Sequence, residues 1–208
     1  MIKILIADDH SIVRKGLTQI VEDVPDMLVS GEAASGQEIL QKIREYDYDV
    51  VVLDISLPGM TGLDVLKQIK VEKSNLPVLM LSIHPEEQYA VRALKAGASG
   101  YLTKDRAPDE LIAAIRKAYD GSKYISSSLA EKLALDLETG RLPHEGLSSR
   151  EFQVMCMIAK GKVLKDIGEE LHLSPKTVST YRSRLIEKMK LKNNEELTRY
   201  AMNNHLID

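Results

Sequence analysis

One stretch of the chain constrains its fold more than any other: an apolar run that ends abruptly on a carboxylate. Residues 50–53 are Val-Val-Val-Leu, and Asp54 follows them directly. A strand with no polar face must be covered on both sides, which is typical of parallel sheets flanked by helices. In open parallel sheets ligands bind beyond the carboxyl ends of the strands, so Asp54 lies where chemistry is expected. The alternative is that Asp54 simply ends a strand before the turn at Pro58 and Gly59.

Strand and helix patterns alternate around this run. The predicted strands are residues 2–7, 27–32, 50–53, 76–82 and 99–103, and the predicted helices are 11–24, one that opens at Ser35, 62–71, 86–96 and 108–119. Five strand-helix units within about 120 residues, joined by right-handed crossovers, predict an α/β fold. We expect a doubly wound five-stranded parallel sheet with strand order 2-1-3-4-5.

Polar residues follow the predicted strands at one edge of this sheet. Strands 1 and 3 are neighbours in the predicted order, so Asp8, Asp9 and Asp54 converge there. Close carboxylates raise each other's pKa unless a cation lies among them, and an all-oxygen cluster favours Mg²⁺. Ser82 and Lys104 end strands 4 and 5 at the same edge. Together these residues predict a phosphoryl pocket in which Mg²⁺ and Lys104 offset charge, Ser82 donates a hydrogen bond, and one carboxylate can be the nucleophile.

This pocket resembles the receiver domain of two-component response regulators over about residues 1–120. The resemblance is carried by Asp8, Asp9, Asp54, the Leu-Pro-Gly-Met-Thr-Gly segment at 57–62, Ser82, Tyr101 and Lys104. It implies that Asp54 accepts a phosphoryl group from a sensor histidine kinase. It further implies that Asp9, Asp54 and the Ser56 backbone carbonyl hold Mg²⁺, with Asp8 acting directly or through water.

The resemblance also implies a switch made of Ser82 and Tyr101. In such domains the hydroxyl moves towards the phosphoryl group and the aromatic ring turns inward, because a new charge of about −2 biases both side chains. Two residues depart from the family pattern. Ile83 is bulky where many receivers have a small residue, which would restrict access and alter phosphoryl lifetime. Asp105 replaces a frequent proline, so a cis bond there would cost about 2.5 to 4 kcal/mol.

Charge divides the chain into two parts. Residues 1–146 hold 17 Lys and Arg against 23 Asp and Glu, a net −6, whereas residues 147–208 hold 11 against 8, a net +3. A positive module suits a polyanion such as nucleic acid, although ordinary surface variation is the alternative. We predict a receiver at 1–120, a linker at 121–146 with a short helix at 128–137, and a DNA-binding domain at 147–208.

Composition and apolar runs indicate the cellular compartment and whether a membrane is a partner. The single cysteine, Cys156, excludes an internal disulfide, and the acidic pair Asp8 and Asp9 interrupts the first apolar run, so no signal peptide is expected. No stretch approaches the roughly 20 apolar residues of a membrane span. We therefore expect a cytoplasmic protein without a membrane partner.

The second module predicts a run of short helices. Helices are expected from Ser148 to about residue 160, at 163–171, from Ser174 and Pro175 onward, and at 194–203. Ser174 as N-cap and Pro175 at the first helical position strongly favour a helix start. On this third helix the apolar face holds Val178, Tyr181, Leu185 and Met189, and the opposite face holds Lys176, Ser179, Thr180 and Ser183.

A slim helix with basic flanks would fit a DNA major groove while the flanks hold phosphates. The alternative is a surface helix with solvated charges. The predicted DNA contacts are Lys165, Lys176, Thr177, Ser179, Thr180, Arg182, Ser183, Arg184 and Lys188.

The segments 147–151, 158–161 and 174–178 are similar to the LuxR-type helix-turn-helix. Joined to a receiver, such a domain resembles a NarL/FixJ-type transcriptional regulator, and residues 176–184 lean towards the GacA/BvgA branch. The chain departs from the commoner pattern at 162–165, although Lys165 itself is retained, and at Tyr181, where His is usual.

The predicted groove face offers Lys176 but no Arg, Asn or Gln for a bidentate base contact. Direct readout should therefore be sparse, so specificity is expected from a phosphorylated homodimer on paired half-sites and from DNA shape. Leu197, Tyr200 and Ala201 on the final helix are the candidate dimer surface.

Two other functions use the same features. An aspartyl-nucleophile phosphohydrolase would also place Asp54 and Mg²⁺ on an α/β sheet. Hydrolases of that family place a second Asp, the general acid, two residues after the nucleophile, whereas this chain has Ser56 there, so no enzyme activity is expected. The second is a DNA-binding regulator controlled by a protein partner instead of phosphate.

Overall fold

The structure, a computed structural model, describes residues 1–126, 129–130 and 142–207. The chain divides into two compact units, Met1–Glu131 and Lys132–Asp208. The short helix predicted at 128–137 lies outside the described residues except at positions 129 and 130, which are helical.

The first unit alternates strands and helices as predicted. Its elements are β1 (Ile2–Ala7), α1 (Ser11–Glu22), β2 (Met27–Ala33), α2 (Gly36–Glu45), β3 (Val50–Asp54), α3 (Gly62–Glu72), β4 (Val78–Ser82), α4 (Glu86–Lys95), β5 (Gly100–Thr103) and α5 (Ala107–Tyr119). All neighbouring strands are parallel, in the order β2-β1-β3-β4-β5. The predicted doubly wound sheet is confirmed.

The two central strands are covered on both faces, as their unbroken apolar sequences require. Every residue of β3 and β4 is buried. On one face the sheet packs against α1 and α5, which contribute Leu17, Val21, Leu111 and Ile115 to the core. This burial is the main favourable contribution to folding, at roughly 25 cal/mol per Å² of apolar surface.

Strand β4 begins at Val78, two residues later than predicted. Pro77 has no backbone N–H and cannot join the ladder as a donor, although its carbonyl accepts from the Val51 N–H at 2.9 Å.

The second unit is helical throughout its described elements. A 3₁₀ helix at Pro143–Gly146 precedes α6 (Ser149–Ala159), α7 (Leu164–Glu170), α8 (Pro175–Met189) and α9 (Asn194–Asn203). Ser148 caps α6 in a complete capping box with Glu151, and Ser174 caps α8 by accepting from the Thr177 N–H at 3.1 Å.

Helices α7 and α8 are joined by a tight turn that admits no side chain at Gly168. A Cβ there would lie 2.7 Å from the carbonyl oxygen of Leu173, closer than van der Waals contact allows. Glycine thus lets the two helices of the helix-turn-helix approach each other. Within the described part of the chain, no helix has the length and apolar character that crossing a membrane requires.

Candidate functional site: an acidic pocket and a capped basic helix

The acidic pocket lies at the carboxyl edge of the sheet. Asp8 directly follows β1, and Asp54 and Ser82 are the last residues of β3 and β4. Lys104 follows β5, and its Nζ lies 2.5 Å from Asp8 Oδ2 and 3.3 Å from Asp54 Oδ1. The Lys104 backbone N–H also donates to the Ser82 backbone carbonyl at 2.7 Å. The strand order therefore brings together residues that are up to 96 positions apart in sequence.

Burial dominates the electrostatics of this pocket. Asp8 is 0% exposed and Asp54 is 1% exposed. Burial raises the pKa of Asp54 to about 6; the Lys104 charge opposes this rise and the Asp8 charge adds to it. At neutral pH the carboxylate form of Asp54 is still the major one.

The carboxylates have capacity for another cation. Neither Asp54 oxygen, nor Asp8 Oδ2, accepts a well-aligned hydrogen bond from the described residues. Lys104 is the cation that lies against them, and one ammonium group offsets only part of the charge on two buried carboxylates. Such an all-oxygen donor set fits a hard cation such as Mg²⁺. Asp9, whose side chain is 27% exposed, lies at the solvent side of the pocket.

His10 also belongs to this pocket, although it is not among the pocket residues predicted from the sequence. Its ring Nδ1 lies 2.7 Å from Asp9 Oδ1 and 3.3 Å from Asp8 Oδ1. Its backbone N–H donates to Asp8 Oδ1 at 2.9 Å. The signal available in the sequence was its position directly after the acidic pair. One ligand atom each from Asp8, Asp9 and His10 lie within 4.8 Å of one another.

The loop after Asp54 is held against the strand end. A Cβ at Gly62 would lie only 2.0 Å from the Asp54 carbonyl oxygen, so glycine is required where α3 begins. The Gly62 N–H donates to the Ile55 carbonyl at 2.8 Å, and Thr61 caps α3 by accepting from the Asp64 N–H. Ser56 lies half-buried in this fixed loop, two residues beyond Asp54.

Ser82 and Tyr101 are connected through one residue. The Tyr101 hydroxyl donates to the His84 carbonyl at 2.8 Å, and the His84 N–H donates to Ser82 Oγ at 3.0 Å. The Tyr101 side chain is 1% exposed, so its ring is turned inward.

The two departures from the receiver pattern lie beside Lys104. Ile83 is 70% exposed and lines an open cavity of about 490 Å³ together with Lys104, Asp105 and Arg106. The neighbouring Thr103 side chain lowers the pKa of Asp105. The Lys104–Asp105 bond is trans, because no cis peptide bond occurs among the described residues.

Burial on α8 follows the two faces predicted from the sequence. Val178 and Leu185 are fully buried and Met189 nearly so, while Tyr181 is half-buried. The opposite face is exposed at Lys176, Ser179, Thr180 and Ser183. The hydroxyls of Thr180 and Ser183 donate one turn back along the helix, to the carbonyls of Lys176 and Ser179. Each hydroxyl oxygen remains able to accept a further hydrogen bond.

The other residues predicted to contact DNA differ in how they are held. The Thr177 hydroxyl lies 2.8 Å from Ser174 Oγ, within the helix cap. Arg184 is exposed, and Lys165 is exposed on α7, 3.9 Å from Glu169.

Two flanking cations of α8 are bonded to neighbouring helices. Arg182 Nε donates to Asn194 Oδ1 on α9 at 2.8 Å. Lys188 Nζ donates to Glu151 Oε2 on α6 at 2.7 Å.

The candidate dimer surface on α9 was wrong for two of its three residues. Leu197 and Ala201 are 0% exposed, because apolar residues at i and i+4 place one helix face in the core. Tyr200 is half-buried, and its hydroxyl lies 2.9 Å from His144 Nδ1. The exposed apolar residue of this helix is Met202.

A doubly wound sheet with an acidic pocket, followed by a capped helix-turn-helix, defines a class of protein in which a receiver accompanies a DNA-binding domain. Two family descriptions match the chain: the response regulator receiver domain at residues 4–116, and the luxR family of bacterial regulatory proteins at residues 145–201.

Whole-length relatives narrow this class. The chain is 40% identical to the response regulator UvrY of Escherichia coli strain K12, over 100% of this chain and 97% of UvrY. It is 36% identical to the response regulator GacA of Pseudomonas aeruginosa, over 100% and 99% of the two chains. The chain therefore belongs to the response regulators with a LuxR-type DNA-binding domain, and it is a DNA-binding transcriptional regulator. The predicted resemblance to the GacA branch is confirmed.

Solved structures show the same architecture. RcsB from Salmonella enterica serovar Typhimurium, bound to promoter rprA in the presence of the phosphomimetic BeF₃⁻, matches with a TM-score of 0.64 and 25% identity, over 96% of this chain and 98% of RcsB. A LuxR-family two-component response regulator from Aurantimonas sp. SI85-9A1 matches with a TM-score of 0.60 and 35% identity, over 64% and 95% of the two chains.

Proposed function

We propose that Asp54 accepts a phosphoryl group from a sensor histidine kinase in a Mg²⁺-dependent reaction. The observation that carries this proposal is the pair of Asp54 oxygens at the end of β3, buried and without a well-aligned hydrogen-bond donor. Lys104, 3.3 Å away, is the protein's own counter-charge. A buried but largely ionised carboxylate is available as a nucleophile.

The transfer balances as a displacement at phosphorus. An Asp54 carboxylate oxygen forms the new P–O bond, and the P–N bond of the kinase phosphohistidine breaks. The electron pair of that bond stays on the imidazole nitrogen, which takes up a proton from solvent. Lys104 would lie beside the transferred group and offset its charge, and the Ser82 hydroxyl would donate to it.

Mg²⁺, when bound, supplies positive charge that offsets the incoming phosphoryl oxygens. Its proposed ligands are Asp9, Asp54 and the Ser56 backbone carbonyl, with Asp8 acting directly or through water. The carboxylates of Asp8, Asp9 and Asp54 fit this ion, since hard cations prefer oxygen ligands.

Ser82 and Tyr101 are the proposed switch. A phosphoryl group on Asp54 would attract the Ser82 hydroxyl, which accepts from the His84 N–H at 3.0 Å. The Tyr101 hydroxyl donates to the His84 carbonyl, so a movement of Ser82 would be transmitted through His84 to the Tyr101 ring.

We propose that α8 enters the major groove, with its exposed short side chains against base edges and its exposed cations near phosphates. Phosphorylation would shift the protein towards a homodimer that binds paired half-sites, with a kinase and double-stranded DNA as its partners. The proposed division of labour is a receiver at 1–120, a linker at 121–146 and a DNA-binding domain at 147–208. Its predicted location is the cytoplasm.

The proposal is tested by treating three proteins with acetyl phosphate, with and without Mg²⁺. They are the wild type, Asp54→Asn, and the control Asp64→Asn, which neutralises an acid on α3. We expect intact mass to show one added phosphoryl group on the wild type and the control, and none on Asp54→Asn. Size-exclusion chromatography and DNA binding on the same samples should then show dimerisation and tighter binding for the modified proteins alone.

Each alternative gives a different result. If phosphorylation does not change the affinity for DNA, control by a protein partner is indicated. Continuous release of inorganic phosphate from a phosphomonoester, lost in Asp54→Asn, would point to a phosphohydrolase.

A further inference from the structure

The basic residues of α8 fall into two groups. Lys176 and Arg184 are exposed and have no ion pair or side-chain hydrogen bond within the described residues. Arg182 and Lys188 are each bonded to another helix of the same unit, through Asn194 and Glu151 respectively. Basic residues that look equivalent in sequence are therefore held differently in the structure.

Glu151 is the meeting point of two elements. Its Oε2 accepts from the Ser148 N–H at 2.8 Å, which closes the capping box of α6, and from Lys188 Nζ at 2.7 Å. Burial acts to raise the pKa of Glu151, but Lys188 and the Ser148 donors outweigh it and bring the pKa below its ordinary value. The start of α6 and the last turn of α8 are thus joined through one carboxylate oxygen.

Moving the Lys188 ammonium group away to a DNA phosphate would break its bond to this carboxylate. The Glu151 side chain is 4% exposed, so water cannot readily replace the ammonium group. A nearly enclosed carboxylate without a counter-charge is strongly unfavourable, and a solvated phosphate at the rim of an interface offers little stabilisation in return. Lys188, whose side chain is 49% exposed, is therefore better satisfied where it lies.

We propose that Lys188 is a positioning residue that fixes the end of the recognition helix α8 against the cap of α6 through Glu151, while Lys176 and Arg184 carry the phosphate contacts. This inference rests on the proposed entry of α8 into the major groove. Arg182 acts in the same way towards α9, where Asn194 is the first helical residue. Specificity then depends on the angle at which α8 is held, in addition to the side chains on its exposed face.

The experiment is a double-mutant cycle on the full-length protein, read by DNA binding over a range of salt concentrations. The probe is a duplex of about 30 base pairs, long enough for two half-sites, enriched from a random library by the wild type and compared with a shuffled duplex. The variants are Lys188→Gln, Glu151→Gln and the double mutant, since Gln at 151 retains an acceptor for the Ser148 N–H.

Counterion release separates the two roles. Loss of a phosphate contact reduces the slope of log K against log salt by about 0.9 per bound subunit. We expect this reduction for Lys176→Gln and Arg184→Gln, on both duplexes. Lys188→Gln should instead lower affinity for the enriched duplex about tenfold with an unchanged slope, and should cost less than about twofold when Glu151 is already Gln.

Lys192→Gln is the matched control, because Lys192 is exposed and its side chain has no hydrogen bond or ion pair in the described part of the chain. Lys192→Gln should change neither the ratio of the affinities for the enriched and the shuffled duplex nor the coupling measured between positions 151 and 188. An equal loss from Lys188→Gln in both backgrounds, with a smaller slope, would identify a direct phosphate contact and overturn the proposal. Unchanged affinity of Lys188→Gln would overturn it too.

Two measurements keep the result interpretable. Lys188→Met retains the apolar stem and replaces Lys188→Gln if that variant does not fold. If the wild type selects no duplex, α8 does not bind DNA as proposed and the proposed function fails. The bond between Lys188 and Glu151 is then still tested by the free energies of unfolding of the wild type, the two single mutants and the double mutant. The effects at positions 151 and 188 must be non-additive.

Discussion

Asp54 and Glu151 are both nearly enclosed carboxylates, each beside a lysine, yet the protein treats them in opposite ways. Asp54 accepts no well-aligned hydrogen bond and has a pKa raised to about 6, whereas Glu151 accepts from a backbone N–H and an ammonium group and has a lowered pKa. A carboxylate whose partners are complete stabilises the fold. One whose partners are incomplete keeps capacity for a ligand, at a cost in stability.

The largest effect is expected from Lys104→Met, which removes the lysine cation that lies against both Asp8 and Asp54. Leaving buried carboxylates without a counter-charge should lower the free energy of unfolding of the first unit by about 3 to 5 kcal/mol. Urea unfolding followed by circular dichroism measures this. Adding Asp54→Asn to the same protein should recover a substantial part of the loss; an equal loss in both backgrounds would mean that Lys104 acts by packing alone.

Asp54→Asn alone should have the opposite effect and raise the free energy of unfolding. The folded protein holds a proton on Asp54 up to pH of about 6, while the unfolded chain releases it near 3.8, so the wild type loses stability as pH rises between these values. At pH 7.5 without Mg²⁺ the variant should be more stable by about 1 to 3 kcal/mol, and the difference should vanish near pH 4.

Millimolar Mg²⁺ sharpens this test, because an ion that binds only the folded wild type stabilises it by mass action. The melting temperature of the wild type should rise and that of Asp54→Asn should change little. An Asn variant that is less stable than the wild type at pH 7.5 would show that the Asp54 carboxylate is satisfied by the protein itself.

Glu151→Gln should reduce stability by a smaller amount, about 1 kcal/mol, because the cap acceptor is kept and only the charge is lost. Its pH dependence should be the reverse of that at Asp54. A lowered pKa contributes stability above the unfolded value of about 4.5, and that contribution disappears as pH falls. Thermal unfolding of wild type and variant between pH 7 and pH 3.5 should therefore converge at the acid end; a constant difference would remove the electrostatic part of the comparison.

The smallest effect is expected from Lys192→Gln, an exposed lysine in the same unit as Glu151. Because the Lys192 side chain has no carboxylate partner among the described residues, its replacement should change the free energy of unfolding by less than about 0.5 kcal/mol at any pH in this range. A larger loss would indicate that net charge, and not the bond between Lys188 and Glu151, stabilises the second unit.

Sequence patterns located the chemistry of the first unit because each key residue follows an apolar run. Asp54 ends five buried residues, and the strand order then requires it to meet Asp8. His10 was missed, since nothing in the pattern separates a loop histidine from one held against two carboxylates. In α9 the apolar pair Leu197 and Ala201 was assigned to a dimer surface, because a buried face and an interface face have the same spacing.

Amino-acid order by itself determined the strand and helix sequence, the helix caps and the strand ends at which the acidic pocket forms, because these depend on local periodicity and near neighbours. Tertiary structure decided which carboxylates are satisfied. Glu151 and Lys188 are 37 positions apart, and Asp8 and Lys104 still further, so only the packed fold sets their distances and their exposure to water. Distance and dielectric environment, which no local pattern encodes, make one acid a structural clamp and the other a candidate phosphoacceptor.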